Sequence, residues 1–167
     1  HKKYLHKPED IKLIPGSRDI ILNFLKKGYS LFLHTNQSGV SRGYFKIEDV
    51  KKCNNQMIKL LNINSKIFED ICIASDYPPG IDSYRKPSTK FGLEIIKKYK
   101  IESNQLIYIG DNTSDLETAY KLNCIGYGIC LDKKNSFLDK DIVTKRFNLT
   151  IHDYLSEIKN EKIKNDK

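Results

Sequence analysis

The sequence predicts an α/β fold of three layers, in which a mainly parallel sheet lies between helices. Three observations carry this. Short apolar runs of strand length alternate with stretches of helical periodicity along most of the chain. The runs are continuously apolar rather than alternating, as strands covered on both faces are. Polar motifs with glycine follow these runs directly, where ligands bind in such sheets, beyond the carboxyl ends of the strands.

The elements are expected as follows. Ser17 is a candidate N-cap, and Ile20, Ile21, Phe24 and Leu25 share one helical face that Gly28 ends. The run from Tyr29 to His34 reads as a strand, and Ile47 to Leu61 as a helix with Val50, Asn54, Met57 and Leu61 on one side. Ile71 to Ala74 is a second strand, and Tyr77 to Gly80 a loop by its Pro-Pro-Gly chemistry. Ser88 is expected to cap a helix carrying Phe91, Ile95 and Tyr99 at spacings of four. Leu106 to Ile109 is a third strand stopped by Gly110, and Leu116, Ala119 and Tyr120 mark a short helix. Cys124 to Ile129 is a fourth strand, Ile142 to Thr144 a short edge strand, and Ile151 to Ile158 a closing helix. Residues 1–158 are thus expected to form one domain, and residues 159–167 a frayed polar tail.

Composition narrows the function classes. The 167 residues, 30% charged and 39% hydrophobic, suit one globular domain. No apolar run approaches the roughly 20 residues that cross a bilayer, and no signal peptide is visible, so a cytoplasmic protein is expected. The net charge is +8, from 25 Lys and four Arg against 21 Asp and Glu. The lysines are scattered rather than gathered in a stripe, so a solvated surface is the reading and nucleic acid is not the expected partner. Cys53, Cys72, Cys124 and Cys130 form no CxxC and complete no zinc spacing with histidine, so neither structural zinc nor a disulfide framework is expected.

Three motifs can carry chemistry. Thr35-Asn36-Gln37-Ser38-Gly39 presents a hydroxyl and amides at a strand end, with Gly39 and Gly43 permitting close backbone approach. By itself it is also a common kind of polar loop. Tyr84-Arg85-Lys86-Pro87-Ser88 offers a planar guanidinium and a point charge ahead of a helix; in isolation it is also a surface pair. Gly110-Asp111-Asn112-Thr113-Ser114-Asp115 sets two carboxylates where a hard cation could bind, or else Asp111 or Thr113 merely caps a helix. Together the three supply donors to a phosphoryl group, a positive charge and a metal ligand, at the ends of successive strands.

In that order they resemble motifs two, three and four of the haloacid dehalogenase superfamily. More narrowly they are similar to its subclass IIIA group of heptose-bisphosphate and histidinol phosphatases. Tyr4 to Asp10, Ile14-Pro15-Gly16, Thr35 to Phe45 (TNQSGVSRGYF), Arg85-Lys86-Pro87 and Ile109 to Ala119 (IGDNTSDLETA) all carry the likeness. The resemblance implies a Rossmann-like fold without a large cap, and a magnesium-dependent phosphomonoesterase acting on a small phosphorylated metabolite. That metabolite would be a sugar phosphate of the heptose bisphosphate kind, or histidinol phosphate. Thr35 would hydrogen-bond the phosphoryl group and Lys86 would neutralise it. Asp111 would bind magnesium with Asp115 in support. Asn36, Gln37, Ser38, Arg85 and Asn112 would address the substrate. A monomer or weak dimer is expected.

Two departures qualify the resemblance. The superfamily's Asp-x-Asp strand, which carries nucleophile and acid/base, would stand ahead of Tyr4. Its absence leads to the expectation that the natural protein has more residues upstream and that this chain alone does not turn over. Asp139-Lys140-Asp141 lacks the following Gly and reads as a surface turn. Many relatives also carry a Cys/His zinc loop before Arg-Lys-Pro, whereas Ser75 to Tyr84 contains neither residue. Two other readings stay open: a polynucleotide 3′-phosphatase, whose family also joins Thr-Asn-Gln to Tyr-Arg-Lys-Pro, and a non-catalytic phosphate-binding module.

Overall fold

A computed structural model of the chain describes residues 4–129 and 149–152. The fold is mixed α/β with every strand pairing parallel, and it divides into two compact units, His1–Arg85 and Lys86–Lys167.

In the first unit, helix α1 (Ser17–Lys26) and helix α2 (Ile47–Leu61) accompany a two-stranded sheet of β1 (Phe32–Asn36) and β2 (Asp70–Ala74). The helices form where apolar residues recur at helical spacing. Ile20 and Phe24 of α1 and Val50, Cys53 and Leu61 of α2 are buried. The Lys46 amide donates to Asp49 Oδ2 at 3.1 Å and fixes the start of α2. Gly28, at φ 82°, follows the end of α1 as expected. Ser17 is not the cap of α1: it is the first helical residue, preceded by Gly16 in a left-handed conformation, and no side chain caps the helix.

The second unit holds a three-stranded sheet in the order β3 (Ile107–Gly110), β4 (Ile125–Ile129), β5 (Leu149–His152), with helices α3 (Lys90–Tyr99) and α4 (Thr113–Leu122). Leu116 and Ala119 of α4 are fully buried, and α4 packs on β3 and β4. Cys124 is buried, and the loss of solvent pushes its thiol up to about 12. The cap of α3 is Thr89, which makes no side-chain cap bond, and not Ser88; the Ser88 hydroxyl, one residue further out, accepts the Lys90 amide at 3.2 Å.

Three expectations are corrected. The first strand runs later than its apolar residues do, through Thr35 and Asn36, because the parallel ladder pairs Asn36 with Ala74 and the Gln37 amide still donates to Ala74 O at 2.7 Å. Backbone pairing outweighs side-chain polarity there. Ile151 and His152 belong to β5, paired with Gly128 and Ile129, and not to a helix. The strands are also not equally covered. Gly126 to Ile129 of β4 are buried between two neighbours, whereas β1 is half-buried throughout and Ile71 and Ile109 are exposed. Among the described residues β1 and β3 each have one strand neighbour, which leaves less of each covered. The edge strand expected at 142–144, the Asp139-Lys140-Asp141 turn, the rest of the closing helix and the polar tail lie outside the described residues. No helix of the described residues is long and apolar enough to cross a membrane.

Candidate active site

In the first unit the candidate residues stand at the carboxyl end of the β1–β2 sheet. Thr35 and Asn36 are the last two residues of β1 itself. The Gln37 side-chain amide donates to Thr35 Oγ1 at 3.0 Å, so the hydroxyl accepts from Gln37 and keeps its own proton for another acceptor. Ser38 is buried, 8% exposed, and its carbonyl accepts the Arg42 amide at 3.2 Å, tightening the turn after the strand. Gly39 is required in that turn, since a Cβ there would overlap the Phe45 ring. Arg85 is half-buried. Its guanidinium lies 5.8 Å from the centre of the Tyr77 ring, and its Nη1 is buried with no hydrogen-bond acceptor among the described residues.

In the second unit, charge replaces neutral hydrogen bonds. Lys86 Nζ pairs with Asp115 Oδ1 at 2.5 Å, with side chains only 12% and 5% exposed. The other oxygen of Asp115 accepts the Asn112 amide at 3.1 Å. Asp115 therefore does two jobs: it orients a lysine and it closes the first turn of α4. Neither Asp111 nor Thr113 caps that helix. The cap is Asn112, whose Oδ1 accepts from the Ser114 amide and hydroxyl, each at 3.1 Å. This leaves the exposed Asp111 carboxylate outside the capping network, at the junction of β3 and α4. Its carboxyl titrates above the ordinary aspartate value, first because the surrounding protein removes water, and second because the Asp115 charge repels its own; Lys86 opposes the rise. Gly110 makes the arrangement possible, since a Cβ there would overlap the Asp115 carboxyl group.

The sequence motifs thus place Thr35 with Gln37 in one unit, and Lys86, Asp111, Asn112 and Asp115 together in the other. Reading the sequence missed the hydrogen-bonding residues of the loop between β2 and Arg85. Asp76 and Ser83 are paired side chain to side chain, and His34 Nε2 meets Tyr84 O at 2.8 Å. Ser and Asp are so common in loops that no sequence signal distinguished these.

A family model for haloacid dehalogenase-like hydrolases matches residues 1–128, and the chain belongs to that family. It is 34% identical over 119 residues to the D-glycero-alpha-D-manno-heptose-1,7-bisphosphate 7-phosphatase of Campylobacter jejuni, a match covering 70% of this chain and 66% of that protein. The chain thus spans just under two thirds of that relative's length. It is 30% identical over 131 residues to the D-glycero-beta-D-manno-heptose-1,7-bisphosphate 7-phosphatase of Rhodopseudomonas palustris, covering 74% of this chain and 73% of that protein. Among solved structures, the D,D-heptose 1,7-bisphosphate phosphatase of B. bronchiseptica, complexed with magnesium and phosphate, superposes with a TM-score of 0.78 at 18% identity. That match covers 95% of this chain and 88% of that one, and it confirms the fold.

Proposed function

We propose that this chain belongs to a magnesium-dependent phosphoric monoester hydrolase acting on a small sugar phosphate of the heptose bisphosphate kind. The observation that carries the reading is Lys86, fixed on buried Asp115 beside the raised carboxyl of Asp111, in a chain whose relatives are heptose-bisphosphate 7-phosphatases. In this reading Lys86 neutralises the transferring phosphoryl group, and Thr35 donates its hydroxyl proton to a phosphoryl oxygen. Asp115 acts from behind, by aiming the lysine. Gln37 sets the Thr35 hydroxyl, and Asn36, Ser38, Arg85 and Asn112 address the rest of the substrate.

Asp111 fits a magnesium ion. Two carboxylates repel each other here, and a cation on the exposed one relieves that repulsion. Among the described residues no three of His, Cys, Asp and Glu cluster as a complete metal site. Magnesium suits this setting, since it commonly binds through one or two carboxylates and fills its shell with water and phosphate oxygens. When bound, it supplies positive charge to the phosphoryl oxygens. Covalent attack needs a carboxylate nucleophile. Among the described residues no Asp-x-Asp stands at a strand end.

The test is turnover by the complete protein, with and without magnesium, on heptose 1,7-bisphosphate, histidinol phosphate and a 3′-phosphorylated oligonucleotide. The proposal expects magnesium-dependent turnover with the highest kcat/KM on heptose bisphosphate. Preference for the oligonucleotide would replace the substrate reading with the nucleic-acid one. No turnover on any of the three would favour a binding module.

A further inference from the structure

The loop from Ser75 to Tyr84 contains neither Cys nor His, yet it is fastened along its length. At its start the Ser41 hydroxyl donates to Ser75 O. Near its middle the Arg42 guanidinium sits over the Tyr77 ring, 3.6 Å from the centre. At its end Tyr84 O meets His34 Nε2 at 2.8 Å; a carbonyl only accepts, so the imidazole carries its proton on that nitrogen. Inside the loop the Ser83 hydroxyl donates to Asp76 Oδ2, and Ser83 Oγ itself accepts the Arg85 amide at 2.9 Å. The Ser83 amide donates to Gly80 O at 3.2 Å and closes the turn.

We infer that Asp76, acting through Ser83, is a positioning residue for Arg85, and that this relay determines how well Arg85 meets the substrate. The physical reason is the inventory of a serine hydroxyl, which has one proton and two lone pairs. Asp76 takes the proton in a charge-assisted bond, which turns a lone pair toward the Arg85 amide. The backbone of Arg85 is thereby held at the point where its side chain departs, and its buried Nη1 is left with an acceptor still to find. Without Asp76 the hydroxyl is free to rotate, and the Arg85 backbone loses its fixed reference.

The inference rests on the proposed role of Arg85 in substrate binding, and a double-mutant cycle separates the two. KM and kcat on heptose bisphosphate are measured in the complete protein for Asp76→Ala, Ser83→Ala, Arg85→Ala and Asp76→Ala/Arg85→Ala. Thermal melts identify the folded variants. Asp76→Ala and Ser83→Ala are expected to raise KM about tenfold, the scale of one charge-assisted hydrogen bond, with little change in kcat. Ser83→Thr, which keeps the hydroxyl, restores KM. In the Arg85→Ala background the Asp76 substitution adds nothing, because its effect passes through the missing side chain. Should Arg85→Ala raise KM while Asp76→Ala leaves it unchanged, the relay is wrong and the substrate reading stands. A full Asp76 effect persisting without Arg85 also overturns the relay and makes Asp76 a general loop fastener. An unchanged KM in Arg85→Ala removes Arg85 from substrate binding and the inference with it.

Discussion

The ends of β1 and β3 present the same kind of opening, a parallel strand finishing in polar residues, but they are completed by different physics. At the end of β1 the contacts are neutral: Gln37 to Thr35, and the Gln37 amide to Ala74. Each such bond contributes about 1 kcal/mol net, and salt has little effect on it. At the end of β3 the contact is ionic and buried, Lys86 on Asp115, and the Asp111 carboxyl beside it is raised first by loss of water and then by the Asp115 charge. Removing one partner of a buried pair leaves an uncompensated charge, at a cost of about 3–5 kcal/mol. In the proposed function the neutral end supplies direction, and the charged end supplies most of the electrostatic work and carries the sensitivity to ions.

Lys86→Ala should give the largest effect. In the complete protein kcat is expected to fall about 10²- to 10³-fold, since a charge aimed at the phosphoryl group is gone. The melting temperature should fall as well, because Asp115 is left unpaired. Activity assayed well below the melting transition separates the two, and near-normal turnover by a folded variant would break the contrast. Gly110→Ala should come next. The new methyl displaces the Asp115 carboxyl, costing about 1–3 kcal/mol and lowering kcat by shifting Lys86 without removing its charge. A wild-type melting curve would show that the crowding is relieved at no cost. Thr35→Val should have the smallest effect, a loss of about tenfold in kcat with stability nearly unchanged, while Thr35→Ser retains most activity. A loss as large as that of Lys86→Ala would contradict the division of labour.

Local pattern made part of this legible in the sequence. The bounds of α2 follow from apolar residues at helical spacing, and Ile47–Leu61 is the helix found. The motif positions at strand ends also followed from where the apolar runs stop. What stayed hidden was set by partners distant in the chain. Thr35 reads as loop because it is polar, yet ladder pairing with β2 makes it strand. Ile151 carries an apolar signal that fits helix or strand, and its place beside Gly128 decides for strand. Asp115 reads as a metal-supporting carboxylate, but the lysine it holds is 29 residues earlier, and no spacing rule reports that pair. The cap of α4 was assigned to either neighbour of Asn112 because Asp, Asn and Thr all suit that position.

The claim that the charged end is a cation site is tested most directly by calorimetry. Magnesium is titrated into the complete wild-type protein and into Asp111→Asn, at neutral pH and again at mildly acidic pH. A carboxyl whose value is raised on folding favours the fold while protonated, and that contribution is lost as pH rises through the folded value. At neutral pH the ionised Asp111 is thus penalised until a cation arrives. The account predicts magnesium binding by the wild type that weakens on acidification above the ordinary aspartate range, and none by Asp111→Asn, which without metal is at least as stable as the wild type. Equal magnesium binding by the two proteins would contradict it.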